Sequence, residues 1–358
     1  MPFKITPRLL LTLLIGALGG LVFSWLKLPL AWMIGSMLFT TIAALSEVRL
    51  EAPRQMRLAV VPILGVLLGA AFTPQTLSHI HEWGWTIAAL FLYGAVVTGT
   101  VSLILNRLFG YDGRTAFLGA APGGINDLIL LAQQYHANDR AVSLMHAIRI
   151  LVAVMTIPLY FRFVYGITTS GGGPNYTPLD ALSLIDALML AACALLGYWL
   201  GKVLKLPAYA IFGPMILSAG LHFGGFTAAK PPTVLIQAAQ VIIGATIGCR
   251  FLGVSLSIMF RDMLIAAASG LAMVGLAVGF AAILAPITGF GVGEIVLAFS
   301  PGGLMEMGLI SIAMGFDPAF VSAHHLARIV MVIVFAPLVF KLIVLKRSGS
   351  ETPDDQIR

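Results

Sequence analysis

Apolar residues run in blocks of roughly 15 to 25 along most of this chain. That is the length of helices that cross a bilayer, and no β-barrel alternation of about ten residues interrupts the pattern. In the first half the blocks fall near 9–26, 30–46, 58–72, 85–105 and 141–163. In the second half they fall near 181–203, 208–222, 234–252, 263–286 and 318–342. Two further blocks are apolar but broken. Residues 115–135 read TAFLGAAPGGINDLILLAQQY, and residues 294–314 read EIVLAFSPGGLMEMGLISIAM. A Pro-Gly-Gly step removes one backbone donor and frees two residues from side-chain constraint. In lipid such a break persists only where protein or a water-lined cavity satisfies the freed backbone.

The two halves repeat. LKLPLAWMIGSML from Leu26 returns as LKLPAYAIFGPMI from Leu204. Gly65 and Gly69 match Gly244 and Gly248, and Pro122-Gly123-Gly124 matches Pro301-Gly302-Gly303. Asp127 matches Glu306, while His146 and Arg149 match His325 and Arg328. Ordered matches at a constant offset mark a duplicated unit. The expected organisation is repeat 1 over 1–165, a Gly/Ser/Pro-rich periplasmic linker over 166–179, repeat 2 over 180–346 and a cytoplasmic tail over 347–358.

Loop charge sets the expected orientation. If each broken block enters the membrane and returns, each copy has five crossings and the second copy is inverted. Sixteen of the 21 basic residues then share one side, among them Arg250 in an expected loop at 250–262. Only Lys27, Arg162 and Lys230 fall on the other side, and Arg149 and Arg328 lie within the membrane. That is a clear positive-inside bias. Six crossings per copy would weaken it. The fold class expected is therefore an all-α polytopic membrane protein. It is an inverted repeat of five transmembrane helices plus one re-entrant PGG hairpin in each half, about ten transmembrane helices and two hairpins. Both termini are expected to be cytoplasmic, with the hairpin tips meeting near the midplane.

Composition agrees with this reading. The chain is 59% hydrophobic and 10% charged, far more apolar than a soluble domain requires. Its net charge of +6 reflects loop bias, because no basic stripe with interleaved aromatics suggests direct nucleic-acid binding. Cys193 and Cys249 have neither CxxC spacing nor a histidine cluster, so no metal site or disulfide framework is indicated. No Walker motif supplies ATP chemistry. The basic, apolar N-terminus reads as a retained first helix rather than a cleaved signal.

The candidate chemistry gathers at the breaks. Gly123 and Gly124, and Gly302 and Gly303, open helices whose free N–H groups favour anions. Asn126, Asp127 and Glu306 follow directly. Buried carboxylates in membranes are functional candidates, though a cap on the helix start would place an acid there equally well. His146 and Arg149 share one helix face, as do His325 and Arg328. Two readings stand for these pairs. Each Arg either holds an anionic substrate, with His as a proton relay, or forms a fixed Arg–carboxylate pair that pins the hairpin while His donates to a carbonyl. The paired small residues Gly65/Gly69 and Gly244/Gly248 predict close helix packing.

APGG-IND in one half and SPGG-LME in the other, each with HxxR downstream, resembles the bacterial membrane AbrB family over nearly the whole chain. Names within that family imply a regulator of gene expression, an ammonia monooxygenase or a membrane protein of other function. The family is also distantly similar to cation–proton antiporters and anion transporters. In related symporters, glycine-rich re-entrant hairpins occupy the place of 115–135 and 294–314. An inner bacterial membrane is expected, because the helices are hydrophobic and no cleavable signal is evident. A monooxygenase would need a metal cluster that the scattered histidines do not supply.

The function expected is secondary transport of a small organic solute, an anion by the charge of the site, coupled to H+ or Na+. The alternative is a membrane protein that regulates gene expression indirectly. No cofactor and no enzymatic reaction are expected. The expected partners are the solute, the coupling ion and the bilayer; a homodimer is left open.

Overall fold

In the computed structural model, residues 6–78, 80–167 and 182–339 are described; within them, the side chains of 77, 125–127, 256–258, 333 and 335–339 are not. The expected linker and tail lie largely or wholly outside these residues. The described chain is helical, with no strand among the described residues. The helices are α1 (Pro7–Trp25), α2 (Ala31–Leu45), α3 (Arg54–Gly69), α4 (Pro74–Ser78), α5 (Trp83–Phe109), α6 (Gly113–Ala120), α7 (Ile125–Gln134) and α8 (Asp139–Tyr165). They continue with α9 (Leu184–Val203), α10 (Tyr209–Phe223), α11 (Thr233–Gly248), α12 (Leu256–Thr288), α13 (Val292–Phe299), α14 (Leu304–Met314) and α15 (Pro318–Val339).

Six stretches are long and apolar enough to cross a membrane: Pro7–Trp25, Ile80–Phe109, Asp139–Tyr165, Leu184–Val203, Thr233–Phe251 and Met259–Thr288. The sequence pattern predicts ten crossings. Three of the four others are too short, and the fourth, α15, has 22 residues and ends among side chains that are not described. α2 and α10 have 15 residues and α3 has 16. At 1.5 Å per residue these reach about 22 to 24 Å, short of a hydrocarbon core of about 30 Å.

Contacts come in crosswise pairs. α1 packs on α2 as α9 packs on α10; α2 packs on α11 as α10 packs on α3; α8 packs on α12 as α15 packs on α5. Glycines set the closest approaches. A Cβ on Gly65 would lie 2.5 Å from the Ile211 carbonyl oxygen, and one on Gly244 would lie 2.4 Å from that of Met33. Beside these contacts, Ser218 Oγ donates to the Val66 carbonyl and Ser36 Oγ donates to that of Val241, both at 2.8 Å. The predicted small-residue packing is thus between the two halves.

The LKLP turns repeat down to the dihedral angle. Lys27 and Lys205 sit at φ 51° and 53°, and Leu30 and Ala208 at 49° and 44°. The Lys27 N–H donates to Ser24 O and the Leu28 N–H to Phe23 O; Lys205 and Leu206 do the same to Lys202 and Gly201. This double bond closes the last turn of α1 and α9 in a Schellman motif, with lysine where glycine is usual.

Two bundles result. α1–α3 pack with α9–α11, and α5–α8 pack with α12–α15. The broken segments α6–α7 and α13–α14 lie in the second bundle, held by α8 and α15.

Candidate functional site

The site is built on a missing donor. In an uninterrupted helix the carbonyl of Leu118 would accept from residue 122, but Pro122 has no N–H. His146 on α8 fills the vacancy, with Nε2 at 2.9 Å from Leu118 O. In the second half Pro301 leaves Leu297 O free, and His325 Nε2 meets it at 3.0 Å. The arginines reach the carbonyls at the break itself, two of which also accept the N–H of Gly123 or Gly302. Arg149 Nη1 donates to Ala121 O at 3.0 Å. Arg328 Nη1 donates to Ser300 O at 2.6 Å, and its Nη2 to Gly302 O at 2.5 Å. The HxxR motif therefore caps the C-terminal end of each first half-helix, where the dipole is negative.

Each arginine also locks its histidine. Arg149 Nη2 lies 2.5 Å from His146 Nδ1, and Arg328 Nη2 lies 2.7 Å from His325 Nδ1. A guanidinium can only donate, so Nδ1 accepts and Nε2 carries the proton. The hydrogen-bond network thus assigns both rings the neutral Nε2–H tautomer. In this arrangement neither ring has a free nitrogen for relaying a proton.

His146, Arg149, His325 and Arg328 are all buried. Among the described residues no carboxylate forms an ion pair with either guanidinium. Each arginine bonds backbone carbonyls at the break; the expected pairing with Asp127 falls on a side chain outside the described residues. The Nε atoms of Arg149 and Arg328 are enclosed without a hydrogen-bond partner. The two guanidiniums lie within each other's electrostatic field, and Tyr93 lies within the field of both. Tyr93 is fully buried on α5 and donates to Met273 O at 3.1 Å.

The other predicted residues divide. Gly124 and Gly303 are the N-caps of α7 and α14, both extended and without a side-chain cap bond. Gly123 packs at α15, where a Cβ would lie 2.7 Å from Val332. A Cβ on Gly302 would meet the Met307 side chain. Glu306 is buried at the start of α14 and lies in the field of Arg328. Its carboxylate folds back toward the helix start, where a Cβ on Gly303 would meet Glu306 Oε2. Asn126 and Asp127 lie in the first turn of α7, with side chains outside the described residues. Cys193 and Cys249 are buried and free. Among the described residues no three His, Cys, Asp or Glu side chains gather to hold a metal.

Sequence reasoning missed three residues. Tyr93 is one tyrosine in an apolar run. His324 is buried on α15, with Nδ1 at 2.8 Å from Phe320 O and Nε2 at 2.8 Å from Thr86 Oγ1. Arg250, expected in a loop, continues α11 in a 3-10 turn, Cys249–Phe251, and turns inward. Its Nη1 is enclosed without a partner. The only sequence signal for it was its position directly behind an apolar run with no spacer.

Two cavities lie away from the breaks. One of about 470 Å³ is lined by Gln75, Thr76, His222, Thr227, Lys230 and Asp317 among others. Burial pushes the Asp317 carboxyl above its ordinary range, against hydrogen bonds from the Ala319 and Phe320 N–H groups. Burial also holds the Lys230 ammonium below its ordinary value. The other cavity, of about 390 Å³, borders Arg8, Glu47, Arg49 and residues 252–255.

A family model described as "Transition state regulatory protein AbrB" matches residues 32–344. The chain belongs to the AbrB family. The match spans both breaks and both HxxR motifs. Two relatives align over most of their length. "Uncharacterized protein YhjN" of Bacillus subtilis (strain 168) is 27% identical over 351 residues, 92% of this chain and 91% of the relative. "Putative regulator AbrB" of Escherichia coli (strain K12) is 26% identical over 316 residues, 88% of this chain and 90% of the relative. Both alignments thus cover about nine tenths of this AbrB-family chain and of the relative.

Proposed function

We propose that this AbrB-family protein is a secondary transporter of a small organic anion, coupled to H+ or Na+. One observation carries the reading. Two buried guanidiniums face the helix breaks, no carboxylate among the described residues pairs with them, and each keeps an unpartnered Nε–H. Buried charge without a counter-ion is costly, so a site of this kind favours an incoming anion. The helix starts at Gly124 and Gly303 add free backbone donors of the same sign.

In this reading Gly123, Gly124, Asn126, Asp127, His146 and Arg149 serve the site from one half, and Gly302, Gly303, Glu306, His325 and Arg328 from the other. Glu306 is the coupling group: protonating it strengthens the positive field that attracts the solute. The two broken segments are re-entrant hairpins of an inverted repeat, with short helices tilted in a locally thinned inner membrane and both termini cytoplasmic. The crosswise contacts support a two-fold relation between the halves, since each gives the other what it receives, and the loop-charge bias supports the inversion.

Uptake of labelled organic anions into proteoliposomes tests the proposal. Accumulation driven by a pH or Na+ gradient is the expected result; absence of any anion flux overturns it. The second reading, a regulator acting from the membrane, is favoured by the printed names of the family model and of the Escherichia coli relative. A change in transcription that persists in transport-dead but folded variants would favour it.

A further inference from the structure

We infer that His222 is a pH-sensitive latch on the cavity of about 470 Å³: as an imidazolium it ties down the rim segment 224–230, and loss of one ring proton releases it. The inference goes beyond the anion-site reading and does not rest on it.

The geometry begins with what the ring nitrogens face. His222 is buried in the last turn of α10. Its Nδ1 lies 2.8 Å from the Ser218 carbonyl oxygen and 3.4 Å from Ser218 Oγ. The Oγ proton already goes to the Val66 carbonyl, so neither oxygen has a proton to offer the ring. Nε2 lies 2.9 Å from the Ala229 carbonyl oxygen, which can only accept. Both nitrogens must therefore donate, and only the imidazolium has two N–H groups. A neutral ring would set a lone pair against a carbonyl oxygen on one side. His146 and His325 differ, because an arginine donates to their Nδ1.

The bond to Ala229 closes a chain of bonds across the rim. The Ala229 N–H donates to Thr227 Oγ1 at 3.1 Å, and Thr227 Oγ1 donates to Asp186 Oδ1 on α9 at 2.6 Å. Segment 224–230 is thus held between α9 and α10, and its Gly225, Thr227, Ala228 and Lys230 line the cavity. Asp186 lies in the field of His222 and favours the charged ring. Lys230 disfavours it, and Asp317 adds a carboxyl group from the start of α15. The α3–α4 side contributes Thr73, Gln75 and Thr76, none of which titrates. The first half has no such latch. The repeat sets Ala44 opposite His222 and Glu51 opposite Ala229. There the Glu51 N–H donates to Thr12 Oγ1 at 3.0 Å, and Thr6 Oγ1 donates to the Glu51 carboxylate. Those bonds run through threonine hydroxyls, which do not titrate. The histidine latch thus belongs to one of two matched segments. In the topology proposed above it faces the periplasm, so a rise in external pH frees the rim.

The test uses the full-length protein in detergent, labelled with ¹⁵N-histidine, between about pH 5.5 and about pH 8.5. The ring signals of His222 are assigned by their loss in His222→Gln. Two things are read: the protonation of both ring nitrogens, and backbone hydrogen exchange in 224–230, corrected for the intrinsic pH dependence of exchange. At the acid end both nitrogens are expected to carry protons. As the ring loses one, protection of 224–230 is expected to fall at least about tenfold, the loss of one charge-assisted bond. Protection of the matched segment 46–52 is expected to hold within about threefold, as is that of 224–230 in His222→Gln. A bare ring nitrogen at the acid end overturns the imidazolium. Constant protection of 224–230 while the ring titrates overturns the latch, as does an equal fall in 46–52 or a ring that keeps both protons to the alkaline end. If His222→Gln does not fold, the two segments of the wild-type protein decide between these outcomes.

Discussion

His146 gives Leu118 the hydrogen bond that Pro122 cannot: Nε2 lies 2.9 Å from the Leu118 carbonyl oxygen, four residues before the proline. His325 does the same for Leu297 ahead of Pro301, at 3.0 Å. The relation makes proline and histidine one unit, and a double-mutant cycle can measure it. His146→Ala leaves a buried carbonyl unsatisfied and is expected to cost about 1–3 kcal/mol. In Pro122→Ala/His146→Ala the new N–H can serve Leu118, so the double variant should be less destabilised than the sum of the singles. Strict additivity in denaturant unfolding would contradict the pairing.

Lys27 and Lys205 hold left-handed backbone at φ 51° and 53°. Glycine adopts that region without its Cβ penalty. Lys27→Gly and Lys205→Gly are each expected to stabilise the protein by about 1 kcal/mol, read as a raised unfolding midpoint. Destabilisation by either would mean that the lysine side chain contributes more than the turn costs.

Close approach between the halves predicts an opposite pair of outcomes. Gly244→Ala would force a Cβ to 2.4 Å from the Met33 carbonyl oxygen. It should destabilise by about 1–3 kcal/mol. Gly275 on α12 faces open space. Gly275→Ala should instead stabilise by roughly 0.5–1 kcal/mol through helix propensity. Thermal unfolding of the two variants side by side checks both signs.

Asp317 sits beside the 470 Å³ cavity with its carboxyl pushed upward by burial. A folded value above the unfolded one means that the native state holds the proton more tightly. Stability from this group is fully present below the unfolded value of about 3.9 and is lost as pH rises through the folded value. Asp317→Asn keeps a capping oxygen for α15 and carries no charge. It should be more stable than wild type at neutral pH, with the advantage vanishing below about pH 4. An advantage that grows on acidification would contradict the assignment.

Much of this was legible in the residues. The apolar blocks foretold the helices, and the duplicated LKLP and Pro-Gly-Gly steps foretold matched turns and breaks. HxxR at matched positions showed that His and Arg share a face. Their partners were not legible. Spacing alone could not tell whether Arg149 meets a carboxylate or a carbonyl, because that depends on which face of α6 turns toward α8. The missing N–H of Pro122 was the signal, since it names Leu118 as the orphan acceptor. Arg250 escaped notice because a basic residue after an apolar run ordinarily marks an interface end. Only the glycine-tight packing of α11 on α2 carries it inward.

The most direct measurement of the central claim is the ¹⁵N–¹H signal of the Arg149 and Arg328 Nε groups in the purified wild-type protein, with and without a saturating small organic anion. Both Nε–H groups are enclosed and unpartnered. If they are the donors that hold the solute, both signals should shift together and saturate with the binding curve. Binding of the anion with both signals unmoved would contradict the account and move the solute elsewhere in the protein.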